Sequence, residues 1–168
     1  QHTINTVAAE NNKKYPDMIS LGSVHPENPE AVDELRRIKE LSLKGIKLHP
    51  DYQDFFINEE RLYPIYEACS ELELPIVFHA GWDCYSPDVI HAVPAASAKV
   101  AADFPKLKMV LAHFGGLRLW DDVETFLTGL ENVYFDTAMA ATYMQDPGIA
   151  MRIINKHPIE NIFMGSDC

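Results

Sequence analysis

Six residues able to bind a metal or move a proton occupy one kind of place in this chain. His25, His49, His79, His113, Asp136 and Asp167 each close a short apolar run. Imidazole and carboxylate are the ligands that take a divalent transition metal without sulfur, and converging strand ends can gather them although they are distant in sequence. Each member alone also has a plain structural reading. A buried strand-end histidine can be satisfied by a backbone carbonyl, and the His-Pro pairs at His25 and His49 can be strand-exit punctuation. Repetition at six positions is what points to chemistry. Lys47, two residues before His49, needs a partner or a depressed pKa if it faces an interior; pairing with a neighbouring carboxylate and a functional role both stay open. Trp82 and Trp120 read as packing or pocket wall. Cys84 has no base beside it in sequence and is not read as a nucleophile.

The elements that must position these residues are strands and helices in alternation. The runs Met18–His25, Gly45–His49, Pro75–Gly81, Lys108–His113, Asn132–Asp136 and Asn161–Asp167 read as strands,. In the third run, alternation puts Val77 and His79 on one face and Ile76 and Phe78 on the other. Helices are expected over about 5–15, from Asn28-Pro29-Glu30 to Leu41 or Ser42, after Pro64, over 94–104 and 122–127, and from Asp146-Pro147 to Lys156,. The polar and aromatic segments 51–60 and 82–94 read as long loops, the second carrying Asp83, Tyr85 and His91,. This alternation implies a parallel sheet with right-handed crossovers, either an open doubly wound sheet or a barrel. Neither GxGxxG nor GxxxxGK[ST] occurs, so nucleotide-binding open sheets lose their main support,.

Composition narrows the partners. The chain has 168 residues, 47% of them hydrophobic, which suits one domain spanning residues 1–168,. A net charge of −11 and a pI near 4.9 argue against a nucleic-acid binder,. No apolar run approaches the length of a membrane span,. The three cysteines, Cys69, Cys84 and Cys168, are far apart and fit a reduced, cytoplasmic protein,. The chain opens on Gln1 and stops at Ser166-Asp167-Cys168 directly after an apolar run, so it reads as cut at both ends.

Four motifs, Gly45-Ile-Lys-Leu-His-Pro50, Pro75-Ile-Val-Phe-His-Ala-Gly81, Val110-Leu-Ala-His-Phe-Gly-Gly116 and Ile162-Phe-Met-Gly-Ser-Asp167, resemble in type and order those of the amidohydrolase superfamily. The similarity is to its amidohydrolase-related branch, which also contains metal-dependent decarboxylases. The resemblance implies a TIM (β/α)8 barrel, with these strands as the third to the eighth. It implies a divalent metal, with Zn2+ the expected ion, and His79 and Asp167 as ligands. Asp167 would also take the proton from an attacking water. His113 matches a residue that is a second ligand in some members and contacts substrate or water in others. Lys47 falls where two-metal members carry a bridging carboxylated lysine. His25, His49, Trp82 and Asp136 are expected to contact substrate or support the ligands. The family's His-x-His, with its first two strands, is absent from this chain. The expected function is hydrolysis of a small-molecule ester, lactone or amide by a metal-activated water, with a homo-oligomer left open. Two alternatives stand beside it: non-oxidative decarboxylation of an aromatic or unsaturated acid, and a non-catalytic truncated barrel serving as a binding module.

Overall fold

The structure is a computed structural model and describes residues 1–167; Cys168 lies outside the described residues. Five of the expected apolar runs form strands: β1 (Ile46–Leu48), β2 (Ile76–Phe78), β3 (Met109–Leu111), β4 (Val133–Asp136) and β5 (Ile162–Phe163). They pair in parallel in the spatial order β1-β2-β3-β4-β5. Chain order and spatial order never part, so the sheet winds in one sense, as in a barrel, and has no reversal point of the kind a doubly wound sheet carries. This is a partial (β/α) barrel.

Among the described residues, eight α-helices connect and flank the strands: α1 (His2–Lys14), α2 (Ala31–Glu40), α3 (Pro50–Gln53), α4 (Tyr63–Glu71), α5 (Pro94–Asp103), α6 (Trp120–Phe126), α7 (Ala140–Tyr143) and α8 (Pro147–Lys156). Proline opens α4, α5 and α8, where its missing N–H costs nothing, and the Asp146 carboxylate accepts the Gly148 N–H at 2.8 Å to cap α8,. Helices α2 and α4, α5 and α6, and α6 and α8 pack side by side. Period-two alternation decides what they cover. Ile46, Leu48, Ile76, Phe78, Met109, Leu111, Val133 and Phe135 are 0% exposed, whereas Lys47, Val77, Val110 and Tyr134, aligned across the sheet, are only half-buried. The apolar row faces the core, and the other row forms the face at whose end the candidate ligands gather.

Two segments differ from the expected pattern. The run 18–25 makes a single bridge, Gly22 to Ile46, in place of a strand. The Asn5 side chain from α1 accepts the Ser23 N–H and donates to the Ser23 carbonyl, both at 2.9 Å, and Asn12 does the same for Ser20 at 2.7 and 3.3 Å. Side-chain amides therefore satisfy backbone groups that a longer ladder would use. The segment 51–60 is not all loop. His49 caps the short helix α3, its ring accepting the Tyr52 N–H at 3.4 Å, and Gln53 Oε1 accepts the His49 N–H at 2.8 Å.

Candidate metal centre and substrate pocket

A cavity of about 560 Å3 opens at the carboxyl ends of the strands, and its walls include Lys47, His49, His79, Trp82, His113 and Asp167. Six of the eight residues singled out from sequence thus share one pocket. His25 lies elsewhere and accepts the Glu27 N–H at 3.2 Å, the punctuation role. Asp136 stands behind the pocket wall, with its side chain turned to the backbone.

Asp136 fixes His113. Its Oδ1 accepts the N–H groups of His113 and Ala138, each at 3.0 Å, and its carbonyl accepts the Phe114 N–H at 2.6 Å. Both His113 (φ 60°) and Phe114 (φ 58°) lie in the left-handed region, a conformation that persists only where its surroundings enforce it,. The Trp120 indole N–H, bonded to the His113 carbonyl at 3.1 Å, completes the restraint. Gly81 does the corresponding work after β2. At φ 87° it forms a bridge with Leu117, and a Cβ there would meet the Leu117 nitrogen at 2.1 Å. That close approach seats Trp82 and Asp83 at the pocket.

The histidines touch one another. His79 Nδ1 lies 2.9 Å from His113 Nε2, and the His49 ring stacks on His79 with centroids 4.2 Å apart. His113 Nδ1 is 3.2 Å from the Ala138 carbonyl, which can only accept, so Nδ1 carries the proton,. With its proton there, the His113 ring presents a lone pair at Nε2,. His79 Nδ1–H donates to it, which leaves His79 Nε2 without hydrogen. Burial, and then His49, His113 and Lys47 as like-charged neighbours, push His79 down to about 3,. Burial likewise lowers the pKa of Lys47 against the pull of Asp136 and Asp167, and burial followed by Lys47 lowers that of His49.

Uncharged imidazoles beside carboxylates are the donor set a divalent ion requires. His79 Nδ1 and His113 Nε2 meet in the pocket that Asp167 also lines. A second grouping lies on the other side of His79: His49, His79 and Asp83 have ligand atoms within 4.8 Å of one another. There, Asp83 Oδ2 is 3.8 Å from His49 Nε2 and 3.9 Å from His79 Nε2. Asp83 Oδ1 is engaged by the N–H groups of Tyr85 and Ser86 at 2.8 and 2.9 Å.

The sequence motifs assign no role to Asp51, Asp83, His91 or Arg118. The Asp51 side chain is wholly buried; its Oδ1 lies 3.0 Å from His91 Nδ1 and its Oδ2 3.8 Å from His79 Nε2. The Arg118 guanidinium lies 3.7 Å over the Trp82 ring and 5.0 Å from the Tyr143 ring, both pocket walls. Proximity to the motifs is the signal the sequence offers for two of them: Asp51 follows His49-Pro50, and Asp83 follows His79 by one turn's spacing. Among the described residues no helix is long and apolar enough to cross a membrane.

Comparison with known proteins agrees with the fold and the motifs. A curated relative, 2-keto-4-carboxy-3-hexenedioate hydratase of a Sphingobium strain, is 26% identical over 91% of this chain; the chain spans 53%, about half, of that relative's length. The crystal structure of an uncharacterised TIM-barrel protein from Bordetella bronchiseptica superposes with a TM-score of 0.75 at 23% identity, over 96% of this chain and 58% of the other. A 5-carboxyvanillate decarboxylase from Novosphingobium aromaticivorans, solved with manganese and 4-hydroxy-3-methoxy-5-nitrobenzoic acid, superposes at 0.71 with 18% identity, over 98% of this chain and 58% of the other. The amidohydrolase family model matches residues 1–168, and with strand order, strand-end residues and relatives in agreement, the chain belongs to the amidohydrolase family.

Proposed function

We propose that the protein carrying this chain is a metal-dependent enzyme that removes a carboxyl group, without oxidation, from a small aromatic or unsaturated acid. The observation that carries this reading is the character of the pocket. Lys47 stands within it, and the Arg118 guanidinium lies 3.7 Å over the ring of Trp82, one of its wall residues, so cationic groups meet planar apolar surfaces. Such a pocket recognises a conjugated carboxylate better than a neutral ester or amide. Relatives named for 5-carboxyvanillate decarboxylation and for hydration of an unsaturated tricarboxylic acid act on molecules of that kind.

His79 Nδ1 and Asp167 would hold the ion. When bound, a divalent ion supplies Lewis acidity that holds and polarises the substrate carboxylate and a neighbouring oxygen. Imidazole–carboxylate sets accept both Zn2+ and Mn2+, and metal analysis of the purified protein distinguishes them. Lys47, which shares the pocket with Asp167 and whose pKa burial lowers, would offer its ammonium to the substrate anion. In the reaction the bond between the carboxyl carbon and the ring or alkene carbon breaks and CO2 leaves. The electron pair stays on that carbon, which takes a proton. His113 Nε2, held at the pocket by Asp136 and Ala138, would take up a proton from solvent and pass it to that carbon,. Trp82, Tyr143 and Arg118 would clamp the flat substrate.

A second reading, addition of water across a conjugated double bond, is favoured by the hydratase relative and uses the same residues. Hydrolysis, the reaction expected from sequence, is the third outcome of one test. The full-length protein, stripped with chelator and reloaded with Zn2+ or Mn2+, is incubated with aromatic and unsaturated acids and with esters, lactones and amides, and products are read by NMR. Metal-dependent CO2 release that disappears in His113→Asn is expected. Turnover confined to neutral esters or amides, or turnover indifferent to chelator, overturns the proposal.

A further inference from the structure

We infer that Asp51 is the positioning residue for His79: its buried carboxylate accepts the His79 Nε2 proton in the metal-loaded protein and so turns the Nδ1 lone pair toward the ion. This rests on the reading that His79 Nδ1 is a metal ligand. Among the described residues, the buried side-chain polar atoms without a partner are Asp51 Oδ2 and His79 Nε2. They face each other at 3.8 Å. A carboxylate oxygen and an imidazole nitrogen shut away from water are costly to leave unpaired.

At 3.8 Å they are beyond hydrogen-bonding distance, and the tautomer of His79 gives them no proton to share,. The Ala138 carbonyl fixes the proton of His113 on Nδ1, His113 Nε2 therefore accepts from His79 Nδ1, and His79 Nε2 has no hydrogen to offer. Coordination through Nδ1 removes that constraint. The ring keeps one proton, which moves from Nδ1 to Nε2, and both orphaned atoms are satisfied by an approach of under about 1 Å. Metal loading and the Asp51–His79 bond thus favour each other, as carboxylates behind ligating histidines do generally.

Asp51 is built for this and for little else. Its side chain is 0% exposed, and its other oxygen is held by His91, whose ring Nδ1–H and backbone N–H point at Oδ1 from 3.0 and 3.4 Å. Asp83 Oδ2, at 3.9 Å from the same His79 nitrogen, has other company: Tyr52 Oη lies 3.4 Å away and Asp83 lines the open pocket. Asp51 has no such outlet.

The His91 contacts make Asp51→Asn a sharp test. Two donors claim the Oδ1 position, so the asparagine must place its oxygen there and its NH2 where Oδ2 stood. A donor then faces His79 Nε2 and locks the proton on Nδ1, the form that opposes coordination. The full-length protein is titrated with Zn2+ against a chromophoric chelator. Asp51→Asn, folded by circular dichroism, is expected to bind Zn2+ about 10–100-fold more weakly, whereas Asp17→Asn, at an exposed position away from the pocket, stays within about threefold of wild type,. Independently of any variant, 15N–1H correlation of the histidine rings in the Zn2+-loaded wild type is expected to show His79 protonated at Nε2. Unchanged affinity in Asp51→Asn, an equal loss in Asp17→Asn, or His79 Nε2 appearing as the ligating nitrogen overturns the inference. If the wild type itself fails to bind Zn2+, the functional reading falls, a result distinct from these.

Discussion

Replacing Asp136 tests how the strand ends hold the site. Its Oδ1 accepts the N–H groups of His113 and Ala138, each at 3.0 Å, and His113 sits at φ 60°. A hydrogen bond to a charged acceptor contributes roughly 1.5–3 kcal/mol, and a half-buried carboxylate belongs at the low end of that range. Two such bonds give about 3 kcal/mol for Asp136→Ala. Asp136→Asn keeps an acceptor in the same place and loses only charge reinforcement, about 1 kcal/mol. Urea unfolding of the full-length protein, followed by circular dichroism at fixed metal concentration, measures both. Asp136→Ala should also lower kcat more than it raises KM, because an unrestrained His113 leaves its left-handed backbone and its ring leaves the pocket. An alanine variant within about 0.5 kcal/mol of wild type refutes the reasoning. So does an asparagine variant as damaged as the alanine one, since that would assign the effect to the charge beside Lys47 in place of the backbone bonds.

Gly81→Ala puts a methyl 2.1 Å from the Leu117 nitrogen at a backbone φ of 87°, so it should cost at least about 3 kcal/mol and abolish turnover; a variant of near-native stability and activity would contradict the close approach,. Arg118→Ala removes the cation stacked on Trp82 and should raise KM for an aromatic acid about tenfold with kcat little changed, as steady-state kinetics will show,. In the metal-free protein His79 is held near 3 against about 6.5 when unfolded,. The unfolded chain therefore binds the extra proton first. His79 contributes stability that is fully present above about pH 6.5 and is lost as pH falls toward 3, with a ceiling of about 5 kcal/mol at roughly 1.4 kcal/mol per pH unit,. Denaturant midpoints across that range should fall with pH more steeply in wild type than in His79→Gln; parallel curves would contradict it.

What can be read from the sequence follows the range of the interactions concerned. Period-two alternation is local, so the placement of Ile76 and Phe78 under the helices, and of Val77 and His79 on the other face, is legible in the order of residues alone. The convergence of His49, His79, His113 and Asp167 follows from strand order once parallel winding is inferred. The fate of run 18–25 is not legible, because the groups that replace its ladder, Asn5 and Asn12, belong to a helix whose docking is a tertiary event. The same holds for Asp51. Only the cap that His49 provides to α3, together with the meeting of α3 with the 82–94 segment, brings that carboxylate against His79 and His91. His157 shows the converse. It packs on Phe135 with centroids 4.3 Å apart and bonds the Val133 carbonyl at 3.1 Å, a structural histidine far from the pocket. Residue type alone does not separate it from His79; position at a strand's carboxyl end does.

In the proposed centre His79 Nδ1 and Asp167, both on the pocket at the strands' carboxyl ends, would hold the ion. Anomalous diffraction from crystals of the full-length protein loaded with Mn2+ locates it. The expected peak is bonded to His79 Nδ1 and the Asp167 carboxylate, with His79 Nε2 drawn onto Asp51. A peak held by His49, Asp83 and His79 Nε2, or no peak in the pocket at saturating Mn2+, would contradict that placement.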